Sequence, residues 1–139
     1  MVKRTLVVAS HSTLASGMAA ALRFFAGDDT PVVAIDAYLD NQPVNTQIES
    51  VFKGIGDDEE IVVLTDLLSG SVNQAMFSYR TRPHTYIVTG MNLALALALQ
   101  LEPTDDYLTI SRVRQLVAEA RDNLVLMNDY EPEVDDDDE

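Results

Sequence analysis

Short apolar runs alternate with longer helix-forming segments, and this alternation restricts the chain to a narrow set of folds. The apolar runs are rich in valine, isoleucine and threonine, as buried strands are, and lie at residues 5–9, 32–35, 61–65 and 85–88. Helix-forming segments follow them at residues 14–26, 44–53, 71–79 and 93–101. Such alternation predicts right-handed βαβ units. We expect an α/β fold: a doubly wound, mostly parallel open sheet of about four strands with helices on both faces.

Capping residues mark where the predicted helices begin and end. Gly27 stops the first helix, and Pro103 breaks the fourth. A last helix follows, with an apolar face. Residues 124–127 either extend that helix or form a short edge strand, which would be antiparallel if exchanged between two chains. The residues expected to cap helix starts are Ser12 or Thr13, Ser71, Asn92 and Ser111.

Length and charge divide the chain into one domain and a tail. A chain of 139 residues suits a single core, and we assign residues 1–130 to one domain. Residues 129–139 carry eight acidic groups and no basic one, within a net charge of −14. We expect residues 131–139 to be a disordered acidic tail. No basic stripe offers contacts to phosphates, so nucleic-acid binding is disfavoured.

Several classes of function find no support in the sequence. The chain has no cysteine, which excludes disulfides and thiolate chemistry. No apolar run approaches the ~20 residues of a membrane helix, and no signal peptide is evident, so we expect a cytoplasmic protein. Neither a Walker loop nor a G-x-G-x-x-G motif is present, and no cofactor or metal site is expected. His84 is interpreted as a loop residue.

Two chemically active side chains stand where predicted strands end. His11 follows the first strand and Asp66 follows the third. Carboxyl ends of parallel strands share one edge of a sheet, where ligands bind in open α/β folds. A carboxylate beside an imidazole can keep one ring nitrogen protonated and leave the other free to attack. The alternative interpretation is structural: His11 fills a turn, and Asp66 begins one.

The stretch after Asp66 is composed of small residues. Ser69, Gly70 and Ser71 precede a helix, and small residues at such a place can leave backbone N–H groups free for an anion. Together with His11 and Asp66, this composition favours a site that holds a phosphoryl group. Phosphoryl transfer depends mainly on alignment and charge stabilisation.

Three motifs resemble one family when taken together. They are VASHSTLASG at residues 8–17, IVVLTDLLSGSVNQA at 61–75 and TGMNL at 89–93. These motifs, with the elements of the chain in the same order, resemble the mannose-type enzyme IIA of the bacterial sugar phosphotransferase system. The resemblance covers nearly the whole chain, from Lys3 to about Tyr130.

The resemblance implies a phosphocarrier. In that family the histidine takes a phosphoryl group from HPr and passes it to enzyme IIB, which phosphorylates a sugar passing through a membrane permease. The resemblance makes His11 the phosphoacceptor, Asp66 the carboxylate that orients it, and Ser71 a ligand of the phosphoryl oxygens. It also implies a homodimer. Members of the family often exchange a terminal strand between subunits, and residues 124–127 are the candidate for such a strand here. Further phosphoryl-binding residues expected are Ser12, Ser69 and Gly70.

The chain departs from the family pattern at three positions. The family usually has glycine where Ser12 and Ser69 stand, and often proline where Ala94 stands. Glycine permits backbone conformations that serine reaches only with strain, so a positive φ at Ser69 would be strained.

Two other functions remain open at this point. A receiver-type signalling module would be phosphorylated on Asp66 and would sense this through Thr89, but it needs an acidic pair after the first strand to hold Mg²⁺. This chain has Ser10 and His11 there. The other alternative is a regulatory or binding domain of the same fold without catalytic activity.

Overall fold

The computed structural model describes residues 1–132 and confirms the predicted alternation of strands and helices. The strands are β1 (Arg4–His11), β2 (Val32–Ala37), β3 (Glu60–Thr65) and β4 (Thr85–Thr89). The helices are α1 (Leu14–Ala26), α2 (Val44–Lys53), α3 (Ser71–Met76), α4 (Leu93–Leu101) and α5 (Ile110–Arg121). Short 3₁₀ helices span Phe77–Thr81 and Met127–Asp129. Most of the predicted acidic tail, residues 133–139, lies outside the described residues.

The four strands form one parallel sheet in the order β2-β1-β3-β4. From β1 the chain moves outward to β2, and from β3 it moves outward in the opposite direction to β4. The topological switch point therefore lies between β1 and β3. The register pairs Ala9 with Thr65, and it pairs His11 with Ala37. The ends of β1 and β3 therefore lie side by side, which confirms the predicted fold class.

Apolar side chains on both faces of the sheet explain why the strands read as continuous hydrophobic runs. Along β1, Leu6 and Val8 face one layer of helices, and Val7 and Ala9 face the other. Helices α1, α4 and α5 cover the first face, whereas α2 and α3 cover the second. All four side chains are almost completely buried. The sheet is thus a rigid central layer that fixes the positions of its strand ends.

Helix α1 is capped differently from the prediction. Thr13 occupies the N-cap position, but its side chain makes no capping hydrogen bond. Instead the hydroxyl of Ser10, still within β1, accepts the backbone N–H of Ala15 at 2.7 Å. The turn between strand and helix is so tight that a strand residue reaches the helix start. Sequence rules look for a cap directly before the helix and therefore miss it.

Two other predicted caps are wrong and one is confirmed. Thr109, not Ser111, caps α5 by accepting the N–H of Arg112 at 3.1 Å. Ser71 is the first residue of α3, behind Gly70 at the N-cap position, and its hydroxyl is engaged elsewhere. Asn92 caps α4 as predicted, accepting the N–H of the helix residue three positions on at 2.8 Å.

The segment after α5 adopts neither predicted structure within the single chain. Helix α5 ends at Arg121, and Leu124 to Leu126 have no regular secondary structure before the 3₁₀ helix. Strand β4 therefore forms one edge of the sheet in the described part of the chain. Among residues 1–132, none of the helices combines the length and the apolar character needed to cross a membrane.

A buried ion pair fastens the amino-terminal edge of the sheet. Arg4 on β1 and Glu60 on β3 form a salt bridge with almost no solvent exposure. The second oxygen of Glu60 accepts the N–H of Leu108 at 2.8 Å, and Arg4 donates to the carbonyls of Glu102 and Pro103. The pair thereby ties the connection between α4 and α5 to the two central strands.

We predict that Arg4→Met lowers the free energy of unfolding by ~3 kcal/mol, because Glu60 is left buried without its partner. Urea unfolding at neutral pH measures this loss. The double variant Arg4→Met/Glu60→Gln should recover at least half of it. As a matched control, Lys3→Met breaks the neighbouring pair of exposed Lys3 with half-buried Glu59 and should leave stability nearly unchanged. Equal effects of Arg4→Met and Lys3→Met would contradict the role given to burial.

Candidate functional site

The structure brings His11 and Asp66 together at the carboxyl edge of the sheet. His11 is the last residue of β1, and Asp66 follows the last residue of β3. Asp66 Oδ2 accepts the backbone N–H of His11 at 2.9 Å and lies 2.8 Å from Nδ1 of its ring. The contact lies at the topological switch point, where open α/β sheets bind ligands. The neighbouring strand ends therefore hold the two side chains in one fixed arrangement.

Hydrogen bonds from His11 favour the ionised form of the Asp66 carboxyl. Burial of the Asp66 carboxyl opposes its ionisation, but the hydrogen bonds from the backbone and ring of His11 outweigh burial and lower the pKa of Asp66. Asp66 Oδ1 also accepts the N–H of Leu67 at 3.0 Å. Because an ionised carboxylate only accepts hydrogen bonds, the ring nitrogen that faces it carries the proton. In the neutral imidazole, Nε2 of His11 is then the nitrogen with the free lone pair.

Two of the four predicted phosphoryl-binding residues contact the imidazole. The hydroxyl of Ser71 lies 3.4 Å from Nε2 of His11. Gly70 packs against the ring so closely that a Cβ atom there would lie 3.0 Å from Cε1 of His11 and 3.2 Å from the carbonyl oxygen of Leu67. Its φ of −78° is ordinary, so this close approach is the physical reason for glycine at position 70. The N–H of Gly70 donates to Leu67 at 3.1 Å and is not free for an anion.

Ser12 and Ser69 are placed differently from the expectation. Ser12, not Ser69, has the positive φ, at 55°. Its N–H donates to the carbonyl of Ala37 at 2.9 Å, which locks this turn onto β2. Ser69 is solvent-exposed and has no positive φ. The strained backbone conformation is therefore at Ser12, directly after His11, and not at Ser69.

The site contains two residues that the sequence did not indicate. Asn73 accepts a hydrogen bond from Thr65 at 2.9 Å and donates to the carbonyl of Leu68 at 3.1 Å, which fixes the loop after Asp66. Tyr38 follows the last residue of β2, and its hydroxyl lies 2.5 Å from that of Ser71. Like His11, Tyr38 stands where a strand ends. The sequence did not indicate it because the predicted β2 ends at residue 35, two residues before the observed end of the strand at Ala37.

The other histidine, His84, lies at the amino-terminal ends of the strands, away from His11. His84 precedes β4 and stacks on Tyr107, with ring centroids 3.6 Å apart. This arrangement agrees with its interpretation as a loop residue. Within residues 1–132, His and acidic side chains form no group of three that could hold a metal ion.

With this geometry established, sequence comparison identifies the family. The profile of the EIIA-man family, described as "PTS system fructose IIA component", matches residues 5–104. The chain belongs to this family, and the predicted resemblance is confirmed. No curated protein matches the sequence.

Several solved structures share the fold over almost their whole length. A Klebsiella pneumoniae protein described as a phosphoenolpyruvate-dependent sugar phosphotransferase system (PTS) permease is 25% identical, with a TM-score of 0.84 over 92% of this chain and 93% of its own. The PTS IIA protein associated with the fucose utilization operon of Streptococcus pneumoniae is 27% identical, with a TM-score of 0.72 over 91% and 95%. The mannose/sorbose specific IIA subunit of Enterococcus faecalis shares the fold at 21% identity, with a TM-score of 0.75 over 96% and 100%.

The positive φ at Ser12 gives a prediction with a matched control. Ser12→Gly should raise the free energy of unfolding by about 0.5–1 kcal/mol, because relief of the left-handed strain exceeds the entropy that glycine gains in the unfolded chain. Ser69→Gly relieves no such strain and should lower stability by about 0.5–1 kcal/mol. Urea unfolding of both variants measures the two signs. Effects of the same sign would contradict the assignment of strain to Ser12.

Proposed function

We propose that this chain is a phosphocarrier of a sugar phosphotransferase system, which accepts a phosphoryl group on Nε2 of His11. The observation that carries the proposal is the contact between His11 Nδ1 and Asp66 at 2.8 Å, because in the neutral imidazole it favours the proton on Nδ1 and the lone pair on Nε2. Family membership supports the same function. No cofactor takes part in the proposed reaction.

The proposed step is a direct displacement at phosphorus. The lone pair of His11 Nε2 forms a bond to phosphorus while the donor's bond to phosphorus breaks and returns its electrons to the donor. Nδ1 keeps its proton, so the ring becomes cationic and Asp66 stabilises that charge. The hydroxyl of Ser71 stands beside Nε2 and is placed to donate to a phosphoryl oxygen.

The surface around His11 supports transient docking of partner proteins. The imidazole side chain is 39% exposed, so a donor can reach it, whereas Asp66 is only 7% exposed. Exposed apolar side chains lie close in sequence to His11, Tyr38 and Asp66, and exposed apolar surface marks sites of protein association. These side chains are Leu14, Leu39, Leu67 and Leu68. We propose HPr as the donor and enzyme IIB as the acceptor, with the membrane permease involved only indirectly and the carrier in the cytoplasm.

Two features support a homodimer that exchanges its terminal segment. Leu124, Val125, Leu126 and Met127 form a continuous apolar stretch on the surface, and Leu124 is 91% exposed. Strand β4 is an edge strand of the sheet, and a groove lined by both apolar and polar side chains lies beside it, between β4, α4 and α5. An unpaired edge and an exposed apolar stretch are both unfavourable in an isolated chain. Pairing of the stretch with β4 of a second copy would cover both.

The geometry gives less support to the other candidate functions. A receiver needs Asp66 as a free nucleophile, but its two oxygens accept N–H groups from His11 and Leu67. A regulatory domain without catalytic activity has no need for the close fit of Gly70 and Ser71 to the imidazole. Both alternatives give distinct results in the following experiment.

We predict that the protein gains one acid-labile, base-stable phosphoryl group when it is incubated with enzyme I, HPr and phosphoenolpyruvate. His11→Ala should gain none. Asp66→Ala should be labelled at least ~10²-fold more slowly, because the ring loses its orientation and its charge partner. Ser71→Ala should be about tenfold slower, as expected for one lost hydrogen bond to a charged group. Intact-mass spectrometry over time measures these rates.

His84→Ala is the matched control, since it removes the other histidine at the opposite edge of the sheet and should be labelled like the wild type. Label that persists in His11→Ala but vanishes in Asp66→Ala would favour the receiver. An unlabelled wild type would favour the regulatory domain.

Two truncations separate the acidic tail from the proposed exchanged segment. A chain that ends at Tyr130 should stay dimeric and accept phosphate, because it lacks only the tail. A chain that ends at Asn123 also lacks the apolar stretch and should be monomeric, with β4 uncovered. Light scattering after gel filtration gives the masses. A dimer that persists without residues 124–139, or is lost on removal of 131–139 alone, would argue against the exchange.

A further inference from the structure

The end of β2 brings Tyr38 against the imidazole of His11. The register pairs His11 with Ala37, and Tyr38 is the next residue along the chain. The rings of Tyr38 and His11 lie with centroids 5.4 Å apart and planes inclined at 36°. The ring of Tyr38 therefore lies beside the imidazole on the side of β2.

Packing in the core does not explain the conformation of Tyr38. Its φ is +68°, in the left-handed region that residues other than glycine seldom adopt. Its side chain is 52% exposed and belongs to neither of the two apolar clusters beside the sheet. Strained residues of this kind persist where the surroundings over-determine them, and they cluster at functional sites.

The hydroxyl of Tyr38 extends a line of polar atoms that starts at the reactive nitrogen. The hydroxyl of Ser71 lies 3.4 Å from Nε2 of His11, and the hydroxyl of Tyr38 lies 2.5 Å from that of Ser71. A phosphoryl group on Nε2 would place an anionic oxygen beside the hydroxyl of Ser71, and the hydroxyl of Tyr38 lies one hydrogen bond further on. An anionic oxygen is a stronger acceptor than a neutral hydroxyl, so both O–H groups would turn to donate to it.

We propose that Tyr38 is a further catalytic residue of this site, whose hydroxyl donates to the phosphoryl group on His11 and whose ring shields the phosphohistidine from water. The inference rests on the proposed function. As the bond from Nε2 to phosphorus forms and the donor's bond breaks, the ring cation faces Asp66 and the phosphoryl oxygens face Ser71 and Tyr38. Neutral hydroxyls bind a phosphoryl group less tightly than a guanidinium does, which suits a group that must leave again.

Phosphoramidate, a small phosphoryl donor, tests the proposal without the contacts of a protein partner. Tyr38→Phe keeps the ring and removes the hydroxyl, so we expect His11 to be labelled about tenfold more slowly. The ³¹P resonance of its phosphohistidine should also shift, because one hydrogen-bond donor is gone. Tyr38→Ala removes the cover as well, and its phosphohistidine should hydrolyse several-fold faster than that of Tyr38→Phe. Intact mass and ³¹P NMR supply the readouts.

The matched control is Tyr79→Phe, which removes the hydroxyl of a tyrosine whose ring stacks on Phe52 rather than on His11. It should reproduce the wild-type rate and resonance. If the wild type is labelled and Tyr38→Phe matches it in rate, resonance and lifetime, the inference is overturned while the proposed function stands. A wild type that accepts phosphate neither from phosphoramidate nor through HPr would overturn both.

Discussion

A single carboxylate oxygen, Asp66 Oδ2, joins the ends of the two central strands. It accepts both the backbone N–H and the ring N–H of His11, at 2.9 and 2.8 Å. The orientation of the imidazole is therefore tied to the backbone of β1, and the position of the carboxylate is tied to the end of β3. Since the two strands pair in register within a buried sheet, His11 and Asp66 hold their relative positions without a bound partner.

The two edges of the sheet serve different physical purposes. At the amino edge, the buried pair of Arg4 and Glu60 fastens β1 and β3 to the connection between α4 and α5. At the carboxyl edge, Ser12 and Tyr38 hold left-handed backbone conformations on neighbouring strand ends. The strained turns can persist because the strands before them are closely packed on both faces. Rigidity in the sheet thus supports the exposed rim at which the candidate site lies.

Local pattern was sufficient for most of the fold and for the centre of the candidate site. The β-branched runs and the helix stops placed every strand, and α1, α2 and α4 have the predicted bounds. The sequence predicted that His11 and Asp66 lie together, because parallel strands place their carboxyl ends at the same edge of the sheet. The caps predicted from the same pattern for α1 and α5 are wrong. The hydroxyls of Ser10 and Thr109 accept the backbone N–H groups at these helix starts instead. Those errors have one cause: side-chain hydrogen bonds depend on turn geometry, which spacing along the chain does not specify.

By itself, the sequence determined the class of fold, the edge of the sheet where the candidate site lies and the two residues that meet there, because hydrophobic periodicity and strand ends are local properties. Only the tertiary structure decided that Ser12 rather than Ser69 is strained, that Gly70 fits closely against the imidazole and the carbonyl of Leu67, and that Tyr38 lies beside His11. These features depend on distances between residues of three separate strand ends. Such distances follow from the packing and register of the whole sheet, and no single segment of the chain contains them.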